Sequence, residues 1–118
     1  MSDSYEALLS LILPKLLVDY FDLVKSKPEG EILHLYFEEF NTPPQEYTNV
    51  DLQSKGFHKE ITVQDFPLRG KTVYLHVKRR RWQMKETNEI VQRDWVLVAK
   101  GTRMTREFSS FLKEINRY

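Results

Sequence analysis

Residues 66–82 read Phe66-Pro67-Leu68-Arg69-Gly70-Lys71-Thr72-Val73-Tyr74-Leu75-His76-Val77-Lys78-Arg79-Arg80-Arg81-Trp82. Pro67 presets φ for a turn and Gly70 accepts positive φ, so Pro67–Gly70 is expected to reverse the chain. From Lys71 to Trp82 the residues alternate with the period of a strand that buries one face. Val73, Leu75 and Val77 fall on the inner face. Tyr74, His76, Lys78, Arg80 and Trp82 fall on the outer one, where rings interleave with cations. Arg79 and Arg81 continue the inner face and are expected to snorkel past the edge of the core.

Working outward, Phe57–Phe66 is expected to be the strand that enters the turn, with Ile61 and Val63 inward. Lys85-Glu86-Thr87-Asn88 is a second turn. Glu89–Lys100, with Ile90, Val91, Trp95, Val96, Leu97 and Val98, is expected to return as a third strand. These make a three-stranded antiparallel meander, which needs a helix over its apolar face. Trp95 is expected in the core, with Trp82 either its cross-strand neighbour or a ring near the basic end. Gly101-Thr102 ends the meander. Met104, Phe108, Phe111, Leu112 and Ile115 then recur at helical spacing, with Arg103, Arg106, Lys113 and Arg117 on the other faces.

Toward the N-terminus, Tyr20–Lys25 and Glu31–Phe40 read as a hairpin around Ser26-Lys27-Pro28-Glu29-Gly30. Leu33, Leu35 and Phe37 share one face, and Glu38 and Glu39 are expected to blunt an edge. Before the hairpin, Tyr5, Leu8, Leu9, Ile12 and Leu13 repeat at helical spacing behind Asp3 and Glu6, which have capping-box spacing. Pro14 is expected to end or kink that helix. Asn41–Gly56 reads as a long irregular connection, either functional or mobile. The expected fold is α+β: an antiparallel sheet, made of a hairpin plus a three-stranded meander, with an N-terminal and a C-terminal α-helix. Residues 1–118 form a single domain, with an acidic helix–hairpin part at 1–40 and a basic meander plus helix at 57–118.

The 118 residues are 41% apolar, enough for one core, and contain no cysteine. That excludes disulfides and thiolate metal sites. No apolar run approaches the ~20 residues that span a bilayer, and the acidic start is unlike a signal peptide, so a cytoplasmic protein without a membrane partner is expected. The net charge of +1 hides a division: residues 1–66 carry 5 Lys+Arg against 12 Asp+Glu, and residues 67–118 carry 13 against 5. The basic half suits a polyanion. The alternative is that the two halves neutralise each other.

Arg69, Lys71, Lys78, Arg79, Arg80, Arg81 and Trp82, with Arg103 and Arg106 on the following helix, are the candidate DNA-binding residues. Cations next to rings suit phosphate contacts on double-stranded DNA, and a two-stranded ribbon fits a major groove. Six such contacts imply a log–log salt slope of roughly −5. The competing reading is a solvated strand end paired with Glu31, Glu38, Glu39 and Glu60. His34, His58 and His76 lie on different expected strands, so no metal or other cofactor is expected. The carboxylates fall in no catalytic arrangement, and GxSxG, P-loop and GxGxxG motifs are absent. No catalytic residue is assigned.

Asp65–Trp82 resembles a signature of bacterial insertion-sequence transposases of the IS-L type, D-h-P-x-x-G-x-x-V-x-L-x-h-x-x-R-R-h, carried on a zinc-ribbon-like hairpin. Gly101-Thr102-Arg103-Met104-Thr105-Arg106-Glu107-Phe108 resembles the start of that family's next helix. Over nearly its whole length, from Leu13-Pro14 to Ile115-Asn116-Arg117-Tyr118, the chain more closely resembles the ISAon-type transposase N-terminal region. The resemblance implies a domain that recognises transposon-end DNA or helps assemble a transposase whose catalytic part is a separate polypeptide. It implies that the chain itself is not an enzyme. Its partners would be DNA and the catalytic subunit, with a homodimer left open. The wider family's Cys-x-x-Cys pairs are missing here, so zinc does not carry over, and packing is expected to hold the hairpin.

Overall fold

A computed structural model describes Leu8, residues 11–99 and residues 112–115. Pro14 divides the N-terminal helical residues from helix α1, Lys15–Tyr20, and caps its start with an extended ψ of 136°. Strands β1, Phe21–Glu29, and β2, Ile32–Glu39, form the expected hairpin. Gly30, at φ +60°, is the only one of the two loop residues with positive φ, the pattern of a type II′ turn. β3 is Leu52–Phe57, β4 Ile61–Leu68, β5 Lys71–Lys78, β6 Arg80–Met84 and β7 Ile90–Val91. Helix α2 is Trp95–Ala99, and residues 112–115 are also helical.

The α+β class expected from the sequence is the one that forms. Four strands make one sheet in the order β1-β2-β5-β4, and three make a second in the order β3-β6-β7. Within the first sheet β2 and β5 run parallel, Ile32 opposite Thr72 through Glu38 opposite Lys78. Every other pair is antiparallel. The acidic hairpin and the basic hairpin therefore share one sheet.

One face of that sheet is the core. Leu35 and Phe37 from β2, Ile61 and Val63 from β4, and Val73, Leu75 and Val77 from β5 are buried there with Leu16, Leu17, Phe21, Trp95 and Ile115. Alternation along each strand makes this face apolar, and helical segments are segregated onto it. Trp95 stacks on Phe21 at 5.3 Å and meets Tyr20 edge-on at 5.8 Å.

Where one antiparallel sheet is expected from the sequence, the strands form two sheets with one parallel pair, and the structure differs from the sequence reading at four further places. The turn into β5 is Arg69-Gly70, with φ +50° and +80°, a type I′ hairpin; Pro67 lies just before it in edge strand β4, where its missing N–H costs no ladder bond. The strand expected at Lys71–Trp82 is interrupted at Arg79, so that β5 and β6 serve different sheets. Asn41–Gly56 is not irregular throughout, since it holds a short 3-10 turn at Gln45–Tyr47 and most of β3. The third meander strand is replaced by two-residue β7 and helix α2. Asp94 caps α2 by accepting a hydrogen bond from the Leu97 N–H at 3.1 Å, a local start signal that overrides the β-propensity of the valines. The Asp3–Glu6 cap, Tyr5 and Leu9 lie outside the described residues, as do Met104, Phe108 and Phe111; within helical residues 112–115, Ile115 is buried.

Candidate functional site

The expected cationic strip does not survive folding as a strip. Arg79 is only 2% exposed, and its Nη1 donates to the Ile115 carbonyl at 3.0 Å. It does not snorkel: its guanidinium is held inward on that carbonyl. Trp82 is 1% exposed and donates its indole N–H to Asn41 Oδ1 at 3.0 Å. Arg80 lies over the Phe57 ring at 4.5 Å, donates Nε to the Glu39 carbonyl and Nη1 to Ser54 Oγ, and is half-buried. Arg81 donates to the Lys55 carbonyl at 3.1 Å. Arg80 joins the two sheets, since Glu39 belongs to β2 and Ser54 to β3, whereas Arg81 bonds within the second sheet. Arg80 meets Glu39, one of the carboxylates of the competing reading, whereas Arg79 is buried rather than solvated and bonds a backbone carbonyl.

The carboxylate at this junction is Glu39, 1% exposed rather than on an edge. Its Oε2 accepts from Arg93 Nε at 2.8 Å and its Oε1 from the Arg80 N–H at 2.9 Å. Arg93 also donates to the Thr42 carbonyl and lies 4.7 Å from the Tyr20 ring, between Trp82 and Trp95. Burial pushes the Glu39 carboxyl up, against the pull of Arg93 and Arg80. Sequence reasoning missed Arg93; one arginine between Gln92 and Asp94 carries no periodic signal.

Arg69 and Lys71 are exposed at the β4–β5 turn, where Lys71 Nζ donates to the Gly30 carbonyl at 3.2 Å. Lys78 is half-buried opposite Glu38. Arg103 and Arg106 lie outside the described residues.

The open face of the four-stranded sheet brings together residues that the sequence scattered. Register sets two rows across it: Lys27, His34, Tyr74 and Gln64, then Lys25, Tyr36, His76 and Thr62. Tyr36 stacks on His76 with centroids 4.4 Å apart and planes 12° apart, and His34 on Tyr74 at 5.8 Å and 20°. Stacking across neighbouring strands stands the rings on edge, so ring edges face outward and ring faces are occupied by one another. Lys25 covers Tyr36 further, with Nζ 5.3 Å from its centroid. This surface offers hydroxyl, imidazole and ammonium donors rather than flat platforms for bases.

At its centre His34 Nδ1 and His76 Nε2 share a hydrogen bond of 2.8 Å. The outer nitrogens face carboxylates: Glu29 Oε2 lies 3.7 Å from His34 Nε2, and Glu60 Oε2 3.6 Å from His76 Nδ1, which also has Thr62 Oγ1 at 3.1 Å. Burial pushes the His76 pKa down, and Glu60 opposes the shift. The only hint in the sequence was the mirrored order His34-Leu35-Tyr36 and Tyr74-Leu75-His76; the parallel pairing that sets ring against ring was not foreseen.

Among the described residues no group of three or more His, Asp or Glu side chains is placed to hold a metal, and no helix is long and apolar enough to cross a membrane. Comparison with protein-family models, curated proteins and solved structures returns no match.

Proposed function

We propose that this chain is a DNA-binding domain of the kind found at the N-terminal side of bacterial transposases, acting in the cytoplasm beside a separately encoded catalytic subunit. DNA phosphates meet the open sheet face and the adjoining β4–β5 turn. The observation that carries the reading is the two-row array, in which Lys25 and Lys27 are exposed beside outward-facing ring edges. Arg69 and Lys71 extend the cations at the turn, and Lys78 adds one on the same face of β5. Donors of this kind suit phosphate oxygens, which fix register on a duplex without reading sequence. The resemblance of Asp65–Trp82 supports transposon ends as the target. Arg79, Arg80 and Trp82 serve instead as supports that hold the hairpin without zinc.

The test is an anisotropy titration of transposon-end and random duplexes against the full chain. Lys25→Ala/Lys27→Ala/Lys78→Ala should weaken binding at least tenfold while keeping its melting temperature. Three to five phosphate contacts give a log–log salt slope of roughly −3 to −4.5. Unchanged affinity in the folded triple variant overturns the reading.

A second reading, docking on the catalytic subunit, is favoured by Leu8, Leu11 and Ile12, which are exposed on helical residues. Co-purification with that subunit should be lost on Leu11→Asp, and its persistence counts against the idea.

A further inference from the structure

The centroids of His34 and His76 are 5.0 Å apart with the inner nitrogens at 2.8 Å. That is close to the largest centroid separation such a contact allows, so the two imidazoles meet almost head-on. Head-on geometry holds one proton between the inner nitrogens: with none, two lone pairs face each other, and with two, two N–H groups do. It does not suit a bridging metal, whose bonds of ~2.0 Å on both sides would force the rings apart. With Glu29 and Glu60 beside the outer nitrogens, the best-satisfied pair carries three protons on four nitrogens. Two point outward, toward Glu29 and toward Glu60 or Thr62. One is shared between the rings. A fourth proton has no acceptor inside the protein and must break the contact.

We propose that the His34–His76 pair is a proton-gated seat for a phosphate oxygen. The fourth proton separates the inner nitrogens, and the two freed N–H groups then donate to one phosphate oxygen arriving on the open sheet face. No covalent bond changes; one proton is taken up from solvent as the phosphate binds. The groups around the seat are Lys25, Lys27 and Glu29 on β1, Tyr36 and Glu38 on β2, Glu60 just before β4 and Thr62 in it, and Tyr74 and Lys78 on β5, with Glu38 opposite Lys78. Lys25, Lys27 and Lys78 favour the anion, and the carboxylates of Glu29 and Glu60 stay on the outer nitrogens. Burial, with the neighbouring His34 adding to it, pushes the His76 pKa down against Glu60. This inference rests on the phosphate-binding reading above and adds its regulation.

The experiment measures duplex affinity by anisotropy at constant ionic strength from pH 8 to pH 5.5, on wild type, His34→Gln, His76→Gln and, as control, His58→Gln. In parallel, ring-nitrogen NMR follows the same chains with inorganic phosphate. Uptake of one proton makes wild-type affinity rise up to about tenfold per pH unit as pH falls, over the range above the final titration of the free pair and below that of the phosphate complex. His58→Gln should keep that slope, and His34→Gln and His76→Gln should flatten it. Phosphate should shift the inner-nitrogen resonances at pH 6 and not at pH 8. An equal slope in both pair variants, or inner nitrogens that do not respond to phosphate, overturns the proposal. Duplex binding at pH 8 without an acid slope overturns the gate and leaves the DNA reading standing. No duplex binding at any pH overturns the DNA reading, and the phosphate NMR arm still judges the seat. Melting curves identify a variant that fails to fold, and the other pair variant then carries the test.

Discussion

Arg93→Met removes the centre of the junction between the two sheets. Wild-type Arg93 donates Nε to Glu39 at 2.8 Å and a second guanidinium nitrogen to the Thr42 carbonyl, with both side chains of the ion pair almost fully buried. Methionine retains much of the packing against Tyr20, Trp82 and Trp95, so the loss is mainly electrostatic. It leaves the Glu39 carboxylate enclosed with the Arg80 N–H, at 2.9 Å, as its remaining donor. Removing one partner of a buried pair costs about 3–5 kcal/mol. For a domain of this size that lowers Tm by roughly 12–20 °C, a large share of the ~5–15 kcal/mol that holds such domains folded. Urea unfolding followed by tryptophan fluorescence suits the site, because the guanidinium lies 5.8 Å from Trp82 and 5.9 Å from Trp95. Adding Glu39→Gln removes the stranded charge and should recover about 2 kcal/mol. The reasoning is refuted if Arg93→Met costs under about 1 kcal/mol, or if Glu39→Gln recovers nothing in its background.

Arg79→Met should cost about 1–3 kcal/mol by thermal melt, because it leaves the buried Ile115 carbonyl without its donor, and should leave duplex affinity within about twofold. Arg69→Asn should raise stability by roughly 0.5–1 kcal/mol in urea, since asparagine tolerates the left-handed φ of a type I′ turn better than arginine. Burial, with Arg79 and Arg81 adding to it, pushes the His58 pKa below its ordinary 6.5. Between the two pKa values the unfolded chain binds more protons, so His58 stabilises fully above pH 6.5 and loses that contribution as pH falls through it. The urea midpoint should fall between pH 7.5 and pH 5.5, and less steeply in His58→Gln.

Local chemistry was legible in the sequence wherever a few adjacent residues settle it. Gly30 and Gly70 marked both hairpin turns, Pro14 separated the N-terminal helical segments, and the alternation of Val73, Leu75 and Val77 identified the inner face of β5. The parallel junction was not legible, because β2 and β5 carry no local mark of their mutual register. Val96, Leu97 and Val98 read as part of a strand, whereas the Asp94 side chain starts a five-residue helix there. The candidate site suffered most from burial. Arg79, Arg80 and Arg81 look alike in sequence, yet Arg79 turns inward and Arg80 bridges Glu39 to Ser54. Only tertiary structure separates an arginine that binds its own backbone from one offered to a ligand.

The run from Lys71 to Met84, broken only at Arg79, belongs to both sheets, and this has a consequence for the order in which the chain folds. β4 and β5 meet through a two-residue loop and can zip within microseconds, whereas β2 must find β5 across 42 residues from His34 to His76. Once β5 is placed, its continuation is already aimed at β3, so the first sheet presents the template on which the second assembles. A proline at Arg80, whose N–H binds Glu39, should slow the second event and spare the first. Refolding would then split into two phases, with protection of the β4–β5 amides preceding the burial of Trp82.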